Sequence, residues 1–299
     1  MSRGKTIQLF LMDGTPKGRI KATLANWTGI AYKIPRTELD KAKTIDYLKQ
    51  SGVYFLFSTS DETQENIVYI GQAGTRKNGE GILNRLQEHK RNPDKDYWTE
   101  AVAFTTTNNT FGPTEISYLE SQFTKLASES KRYVVKNGNE PSQGHVTEEK
   151  ESELEEFIDY AKIVIGTLGY RVFEPLLDDA ESDSTFDFDS SKDLPLFFTR
   201  KSKKSNQTIQ ASAKQTSEGI VLLKGSHIEM IDSKRIPEKI KKMRKKEGLI
   251  VDGILQENIL FNSPSYAAAF VYGSNVNGRE YWKDEKGRSL NDIERAEQS

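Results

Sequence analysis

The first 177 residues contain apolar runs of strand length, several of them joined by turn-forming segments. Residues 6–35 carry two such runs around MDGTPKG, where aspartate, glycine and proline favour a chain reversal. Two further runs, GVYFLFS and NIVYIGQA, flank the polar loop TSDETQE and predict a second hairpin. Single strands are expected at TEAVAFTTT and at YRVFEPL.

Helical periodicity appears between and after these strands. It predicts helices over GILNRLQEHKR, PTEISYLESQFTKLASE and TEEKESELEEFIDYAKIVIGTLG. Pro113 suits a first helical position, Thr147 suits an N-cap and Gly169 suits a stop signal. The region is therefore expected to fold as an α+β domain.

The composition changes at residue 178, where an acidic segment precedes a polar, low-complexity stretch. Beyond it, short strands, a basic helix and the small helix SPSYAAAFVYG indicate a separate α+β domain. We expect a β-rich extension at 1–48, a main domain at 49–177, a flexible linker at 178–216 and a small C-terminal domain at 217–295.

The overall charge gives no indication of a polyanionic partner, because 43 lysines and arginines face 44 acids for a net charge of −1. Cysteine is absent, which excludes disulfides, a catalytic thiol and thiolate metal sites. The three histidines lie far apart in sequence, so a metal site would depend on oxygen ligands. No apolar run is long enough to cross a bilayer and no signal peptide is evident, so we expect a cytoplasmic protein.

A few polar side chains stand where they could form one site. Tyr54 and Tyr69 lie on the paired strands of the second hairpin, although strand tyrosines are commonly packing residues. Arg85 and His89 lie one turn apart at the border of the next helix, where they could bind a phosphate or form an ordinary surface pair. Glu120 borders the apolar stripe of the following helix and needs a base or a divalent cation as partner. Glu115 lies at the opposite edge of the stripe and is expected to have an ordinary structural role, because an acid in the first turn complements the helix dipole.

The order of these features resembles the GIY-YIG nuclease family over residues 50 to 140. The segments GVY and YIG come first, then Arg-x-x-x-His, then a helical glutamate and finally NGN. The resemblance implies a small three-stranded antiparallel sheet flanked by helices. It also implies cleavage of DNA phosphodiesters with one divalent metal ion, Mg²⁺ or Mn²⁺.

Carried over from that family, the catalytic residues are Tyr54, Tyr69, Arg85, His89 and Glu120, with Glu120 as the metal ligand. The late asparagine of the family falls on Asn137 or Asn139, of which we favour Asn139. The long loop between the tyrosine segments and the insertion GTRKNGEG before Arg85 depart from simpler members. Which tyrosine accepts the proton of water stays open, as does whether His89 shuttles a proton or holds a phosphate.

The C-terminal domain carries the strongest basic patch, with eight basic residues and one acid between Lys234 and Lys246. This patch is either a solvated helix or a DNA contact, and we expect DNA to be bound through Lys241, Lys242, Arg244, Lys245 and Lys246. Trp282 is expected in the core, with base stacking as the alternative. Residues 217–293 also resemble a poorly characterised domain often appended to GIY-YIG nucleases.

The sequence thus predicts a metal-dependent DNA endonuclease with a C-terminal DNA-binding module and no membrane association. Two alternatives stay open. One is a non-catalytic DNA-binding or regulatory protein that retains the nuclease fold, and the other is a nuclease that acts on RNA. The sequence does not indicate the oligomeric state.

Overall fold

The computed structural model describes residues 4–60, 65–75, 81–138, 144–177 and 193–297. The chain forms two compact units, Met1–Pro175 and Leu176–Ser299, which are called unit 1 and unit 2 below. Both contain helices and sheets, so the predicted α+β class is confirmed. In the described part of the chain, no helix is long and apolar enough to cross a membrane.

Unit 1 is built on a seven-stranded sheet with the order β1-β2-β3-β6-β4-β5-β7. All neighbours are antiparallel except β5 and β7. The strands are β1 (Ile7–Leu11), β2 (Ile20–Leu24), β3 (Gly29–Pro35), β4 (Gly52–Thr59), β5 (Asn66–Ala73), β6 (Glu100–Thr106) and β7 (Val134–Val135).

This sheet is larger than the three strands expected from the family resemblance. Strand β3 pairs with β6 along its whole length, from Gly29 opposite Thr106 to Pro35 opposite Glu100. The expected N-terminal extension is therefore continuous with the sheet of the main domain. Its strands supply buried side chains, including Ala22, Ile30 and Ile34, to the cores of unit 1.

The helices of unit 1 begin at the positions that the sequence indicates. They are α1 (Ile82–Arg91), α2 (Pro113–Ser130) and α3 (Glu148–Thr167), with shorter 3₁₀ segments at Arg36–Thr44, Asp46–Lys49 and Pro93–Lys95. Pro113 opens α2, and the Thr147 side chain accepts a hydrogen bond from the Lys150 amide at the start of α3. Glu115 accepts one from the Gly112 amide at 3.1 Å and so caps α2. The expected strand at YRVFEPL is wrong: these residues form turns, and the Val172 carbonyl accepts a hydrogen bond from the Ser130 hydroxyl.

Strand β4 lies inside the sheet and is buried on both faces. Successive side chains of a strand point to opposite faces. Val53 and Phe55 accordingly join one core with α2 and α3, while Tyr54 and Leu56 join the other core with α1. This alternation places the motif tyrosine on the α1 side of the sheet.

Unit 2 contains a five-stranded antiparallel sheet with the order β13-β10-β9-β8-β14 and a small pair, β11-β12. The strands are β8 (Leu194–Lys201), β9 (Thr208–Thr216), β10 (Gly219–Leu222), β11 (Ile250–Val251), β12 (Ile254–Leu255), β13 (Ile259–Phe261) and β14 (Trp282–Lys283). The helices are α4 (Glu238–Arg244), α5 (Pro264–Tyr272), α6 (Gly278–Tyr281) and α7 (Leu290–Glu297).

The expected linker at 178–216 therefore extends too far. Strands β8 and β9 occupy 194–201 and 208–216, and their alternate residues, such as Leu196, Phe198 and Ile209, are buried in the core of unit 2. Lysine, serine and threonine at the intervening positions give these strands their low-complexity appearance. The acidic residues 178–192 lie outside the described residues.

Candidate active site

Tyr54 and His89 form a buried pair at the centre of the site. The Tyr54 hydroxyl lies 2.6 Å from His89 Nε2, and neither side chain is more than 3 % exposed. Burial, followed by the charges of Lys95 and Arg85, lowers the pKa of His89 to about 3. The imidazole is therefore neutral at neutral pH, and its buried position suits a partner of Tyr54 better than a cationic phosphate ligand.

Gly71 makes room for this pair. It lies directly opposite Tyr54 in the β4–β5 register, and a Cβ atom at Gly71 would stand 2.3 Å from the Tyr54 hydroxyl oxygen. Gly52, in the first motif, would place a Cβ atom 2.1 Å from the Phe104 carbonyl oxygen of the neighbouring strand. Both motif glycines thus serve close approaches within the sheet.

Tyr69 and Lys95 stand beside the buried pair. The Tyr69 ring centroid lies 6.3 Å from that of Tyr54 and 5.3 Å from that of His89. Lys95 Nζ lies 3.4 Å from the Tyr69 ring centroid, where a cation is attracted by the ring face. Burial and the charge of Arg85 lower the pKa of Lys95 to about 8.

Sequence reasoning missed Lys95 because it follows α1 in an unremarkable polar segment. The signal that could have found it is Asn92-Pro93. The Asn92 side chain accepts a hydrogen bond from the Asp94 amide, and Pro93 opens the short 3₁₀ segment that carries Lys95 to the site.

Arg85 on α1 is partly exposed and pairs within its own helix. Its Nη1 donates a hydrogen bond to Glu88 Oε2 at 2.6 Å. Burial raises the pKa of both Tyr54 and Tyr69, and the charge and hydrogen bonding of Arg85 oppose that rise. The positive charge of Arg85 therefore offsets part of the cost of negative charge on either hydroxyl.

Glu120 on α2 reaches the same residues. Its Oε2 accepts a hydrogen bond from Gln72 Nε2 at 2.8 Å, a partner that follows directly on the second motif. Burial raises the pKa of Glu120, against the effects of the Gln72 hydrogen bond and of the positive charges of Arg85 and Lys95. Glu120 in turn raises the pKa of Tyr69 by its charge. The carboxylate is thus partly desolvated and held near two cations.

The edge of β5 explains how side chains from both sheet faces meet. Strand β7 pairs only with Ile67 and Val68, so the following residues of β5 have a neighbouring strand, β4, on one side only. The Asn137 side chain takes over at Ile70, accepting from its amide at 3.1 Å and donating to its carbonyl at 2.8 Å. Asn137 is therefore an edge-closing residue, whereas the favoured Asn139 lies outside the described residues, as do residues 76–80 of the insertion before Arg85.

The donor set suits a hard divalent cation that is bound by few protein groups. Among the described residues, no three His, Asp or Glu side chains cluster to hold a metal by themselves. Mg²⁺ commonly keeps several waters and binds through one or two carboxylates together with substrate phosphates. A single carboxylate, Glu120, supported by the Gln72 amide, fits that mode of binding.

The basic segment of unit 2 divides into structural and exposed residues. Arg244 is 9 % exposed, donates hydrogen bonds to the Phe270 and Glu229 carbonyls, and forms an ion pair with Asp232 at 2.9 Å. It therefore holds α4 against the core, and its assignment as a DNA contact is wrong. Lys246 Nζ lies 3.8 Å from Glu257 Oε1. Lys242 and Lys245 are exposed, and Lys241 is half-buried.

Trp282 lies in the core of unit 2, as expected. It is fully buried, and its Nε1 donates a hydrogen bond to the Pro264 carbonyl at 3.0 Å. A base therefore has no access to this ring.

Comparison with known proteins gives one match, within unit 2. Residues 202–294 match a family model described as a domain of unknown function, DUF4357. The match begins inside the stretch that the sequence pattern assigns to a linker, in agreement with the position of β9. No curated protein and no solved structure matches the chain.

Proposed function

We propose that unit 1 is a divalent-metal-dependent DNA endonuclease with a GIY-YIG active site. The observation that carries this proposal is the convergence of Tyr54, Tyr69, Arg85, His89 and Glu120, which come from two strands and two helices. Packing alone gives no reason to gather two hydroxyls, a guanidinium and a desolvated carboxylate at one sheet edge. Together these groups could orient a water molecule, stabilise negative charge on a phosphate and hold a divalent cation, which are the tasks of phosphodiester hydrolysis.

Two cations would receive the scissile phosphate. The guanidinium of Arg85 is planar and charged at every working pH, and it donates paired hydrogen bonds to phosphate oxygens. Lys95 adds a second positive charge on the Tyr69 side. Both would stabilise the negative charge that develops on the phosphoryl oxygens in the transition state.

The tyrosines position the attacking water. Tyr54 is fully buried with its hydroxyl 2.6 Å from His89 Nε2, and it packs beside Tyr69, which is only half-buried and would orient the attacking water. The charge and hydrogen bonding of Arg85 favour transient negative charge on either hydroxyl. Glu120 would hold the divalent ion, which when bound supplies Lewis-acid polarisation of the phosphate.

Conversion of a supercoiled plasmid to nicked or linear forms tests the proposal. The wild-type chain is expected to cut with Mg²⁺ or Mn²⁺ and to be inactive in EDTA. Glu120→Gln and Arg85→Ala are expected to lose roughly 10²-fold or more of the rate while still binding DNA. Glu129→Gln on α2 and Arg91→Ala on α1 are the matched controls, since both residues are exposed.

The same assay separates the alternatives. A wild-type chain that binds duplex DNA but never cuts under any metal would indicate a non-catalytic DNA-binding protein. Preferential cutting of RNA in parallel digests would indicate an RNA nuclease. Either result would overturn the proposal.

A further inference from the structure

Strands β8 and β9 of unit 2 have one buried and one open face. Leu196, Phe198 and Ile209 point into the core, while the alternating residues lie on the other side. That side is called the open sheet face here. It comprises Pro195, Phe197, Thr199 and Lys201 of β8, Thr208, Gln210, Ser212 and Lys214 of β9, Lys283 of β14, and the adjoining Lys224 and His227.

Phe197 is the central feature of this face. Its side chain is 41 % exposed, whereas the adjacent Phe198 is fully buried. In the register, Phe197 lies directly between Lys283 on β14 and Ser212 on β9. Side chains so placed on neighbouring strands are about 5 Å apart. The aromatic ring is therefore flanked by a positive charge on one side and a hydroxyl on the other.

Polar groups continue in the next row and complete a groove. Thr199 pairs with Gln210, and the His227 amide donates a hydrogen bond to the Gln210 carbonyl at 2.8 Å. The groove that these residues line with Phe197 also includes Lys224. Hydroxyl, amide and imidazole groups thus stand around an exposed aromatic ring.

The charge of the open sheet face is one-sided. Lys201, Lys214, Lys224 and Lys283 lie on it, and none of its residues named above is a carboxylate. Two carboxylates lie nearby: Asp284 is 7 % exposed and bonds to Arg288, and Asp292 accepts hydrogen bonds from Ser289 and feels the charge of Lys283, which contributes to lowering its pKa. A surface of this kind complements a polyanion.

We propose that the open sheet face of unit 2 binds single-stranded DNA, with a base stacked on Phe197 and phosphates on the flanking lysines. An aromatic ring on a sheet can stack on an unpaired base, and nearby amides and hydroxyls can reach the base edges. Bases inside a duplex are already stacked and offer no free face. The choice of DNA over RNA rests on the proposed function of unit 1.

Fluorescence anisotropy with a labelled dT20 strand tests this directly, using the full chain in EDTA so that no cutting occurs. Phe197→Ala is expected to weaken binding roughly 5- to 150-fold, because stacking contributes about 1–3 kcal/mol per base. Lys283→Ala is expected to weaken binding. It should also reduce the slope of the logarithm of the binding constant against the logarithm of the salt concentration, by about 0.7 for each phosphate contact that is lost. Tyr266→Ala is the matched control, since Tyr266 is 44 % exposed on α5, away from this face, and should leave affinity unchanged.

The remaining arms can overturn the proposal. Equal affinity of Phe197→Ala and wild type for dT20 would contradict it, provided that thermal unfolding shows both to be folded. Tighter binding of a 20-base-pair duplex, reduced by Lys242→Ala in α4 but not by Lys283→Ala, would place nucleic acid on α4 instead. Tighter binding of U20 RNA would contradict the choice of DNA. If dT20 binding needs Phe197 but plasmid is never cut, the proposed function of unit 1 fails while this inference stands.

Discussion

Tyr54 and His89 share a buried hydrogen bond, and burial favours the neutral form of the imidazole. The pKa of His89 is lowered to about 3 in the folded chain, against an ordinary value near 6.5 in the unfolded chain. Below pH 6.5 the unfolded state therefore binds a proton that the folded state does not. The contribution of this pKa difference to the free energy of unfolding is therefore fully present above pH 6.5, and it is lost as the pH falls towards 3.

This difference predicts a loss of about 2 kcal/mol in the free energy of unfolding of unit 1 from His89 alone between pH 7 and pH 5. Urea unfolding at the two pH values measures the loss. His89→Asn is expected to remove that part of the pH dependence, whereas His227→Asn, at an exposed position in unit 2, should retain it. An unchanged pH dependence in His89→Asn would show that the imidazole is not buried and neutral.

In the proposed mechanism Lys95 acts through its charge beside Tyr69, so replacement by methionine and replacement by arginine should have different effects. Lys95→Met is expected to lower the rate of DNA cutting by roughly 10²-fold, the typical effect of removing one group that stabilises transition-state charge. Lys95→Arg keeps a cation over the Tyr69 ring and should recover most of the rate. Steady-state cleavage of a labelled duplex measures the rates of both variants. Equal rates for Lys95→Met and wild type would show that Lys95 takes no part in cutting.

At the scale of elements, the paired strands β4 and β5 set the position of the tyrosines, and Gly71 sets how closely they approach. Gly71→Ala is expected to destabilise unit 1 by about 1–3 kcal/mol, because the added Cβ would stand 2.3 Å from the Tyr54 hydroxyl in a packed core. It should also reduce cutting by displacing Tyr54 from His89. Gly74→Ala, where the nearest atom is 3.7 Å away, should have little effect on either property. Chemical unfolding and plasmid cutting of the two variants provide the comparison.

Elements defined by local pattern could be predicted from the sequence. The hairpin of β4 and β5, the helices α1 and α2, and the helix starts marked by Pro113 and Thr147 all follow from signals within a few residues. Features that depend on distant residues could not be predicted. The pairing of β3 with β6, the closure of β5 by Asn137 and the approach of Gln72 to Glu120 join positions 48 to 77 residues apart in sequence.

Strands β8 and β9 could not be predicted from the sequence for a different reason. Their buried alternate residues are masked by lysine, serine and threonine on the open sheet face, so composition favours a linker. Arg244 shows the converse: a basic run suggests a solvated or DNA-binding helix, yet one member of the run is a buried structural residue. In both cases burial, which composition does not show, determines the role.

At the scale of the whole molecule, each unit has its own apolar core. Phe270 is fully buried in unit 2, and Phe270→Ala is expected to lower the free energy of unfolding of that unit by about 3–5 kcal/mol. Hydrogen exchange resolved by peptide should then show faster exchange across residues 193–297. Leu119 is fully buried in unit 1, and Leu119→Ala is expected to lower the free energy of unfolding of that unit by about 2–5 kcal/mol. Exchange should then be faster across the described residues of unit 1. Equal loss of protection in both units from either variant would contradict the division into two units.

We propose that Glu120 serves a metal-dependent cutting reaction rather than the stability of the fold. Burial raises the pKa of Glu120, so its ionised form is disfavoured in the folded chain, and the neutral Glu120→Gln variant should be at least as stable as wild type. The deciding measurement is Mg²⁺-dependent plasmid cutting by wild type and Glu120→Gln, with the unfolding free energy of both measured in parallel. We expect cutting by wild type and its loss in an equally stable Glu120→Gln variant. Undiminished cutting by a folded Glu120→Gln variant, or no cutting by wild type with any divalent metal, would contradict this account.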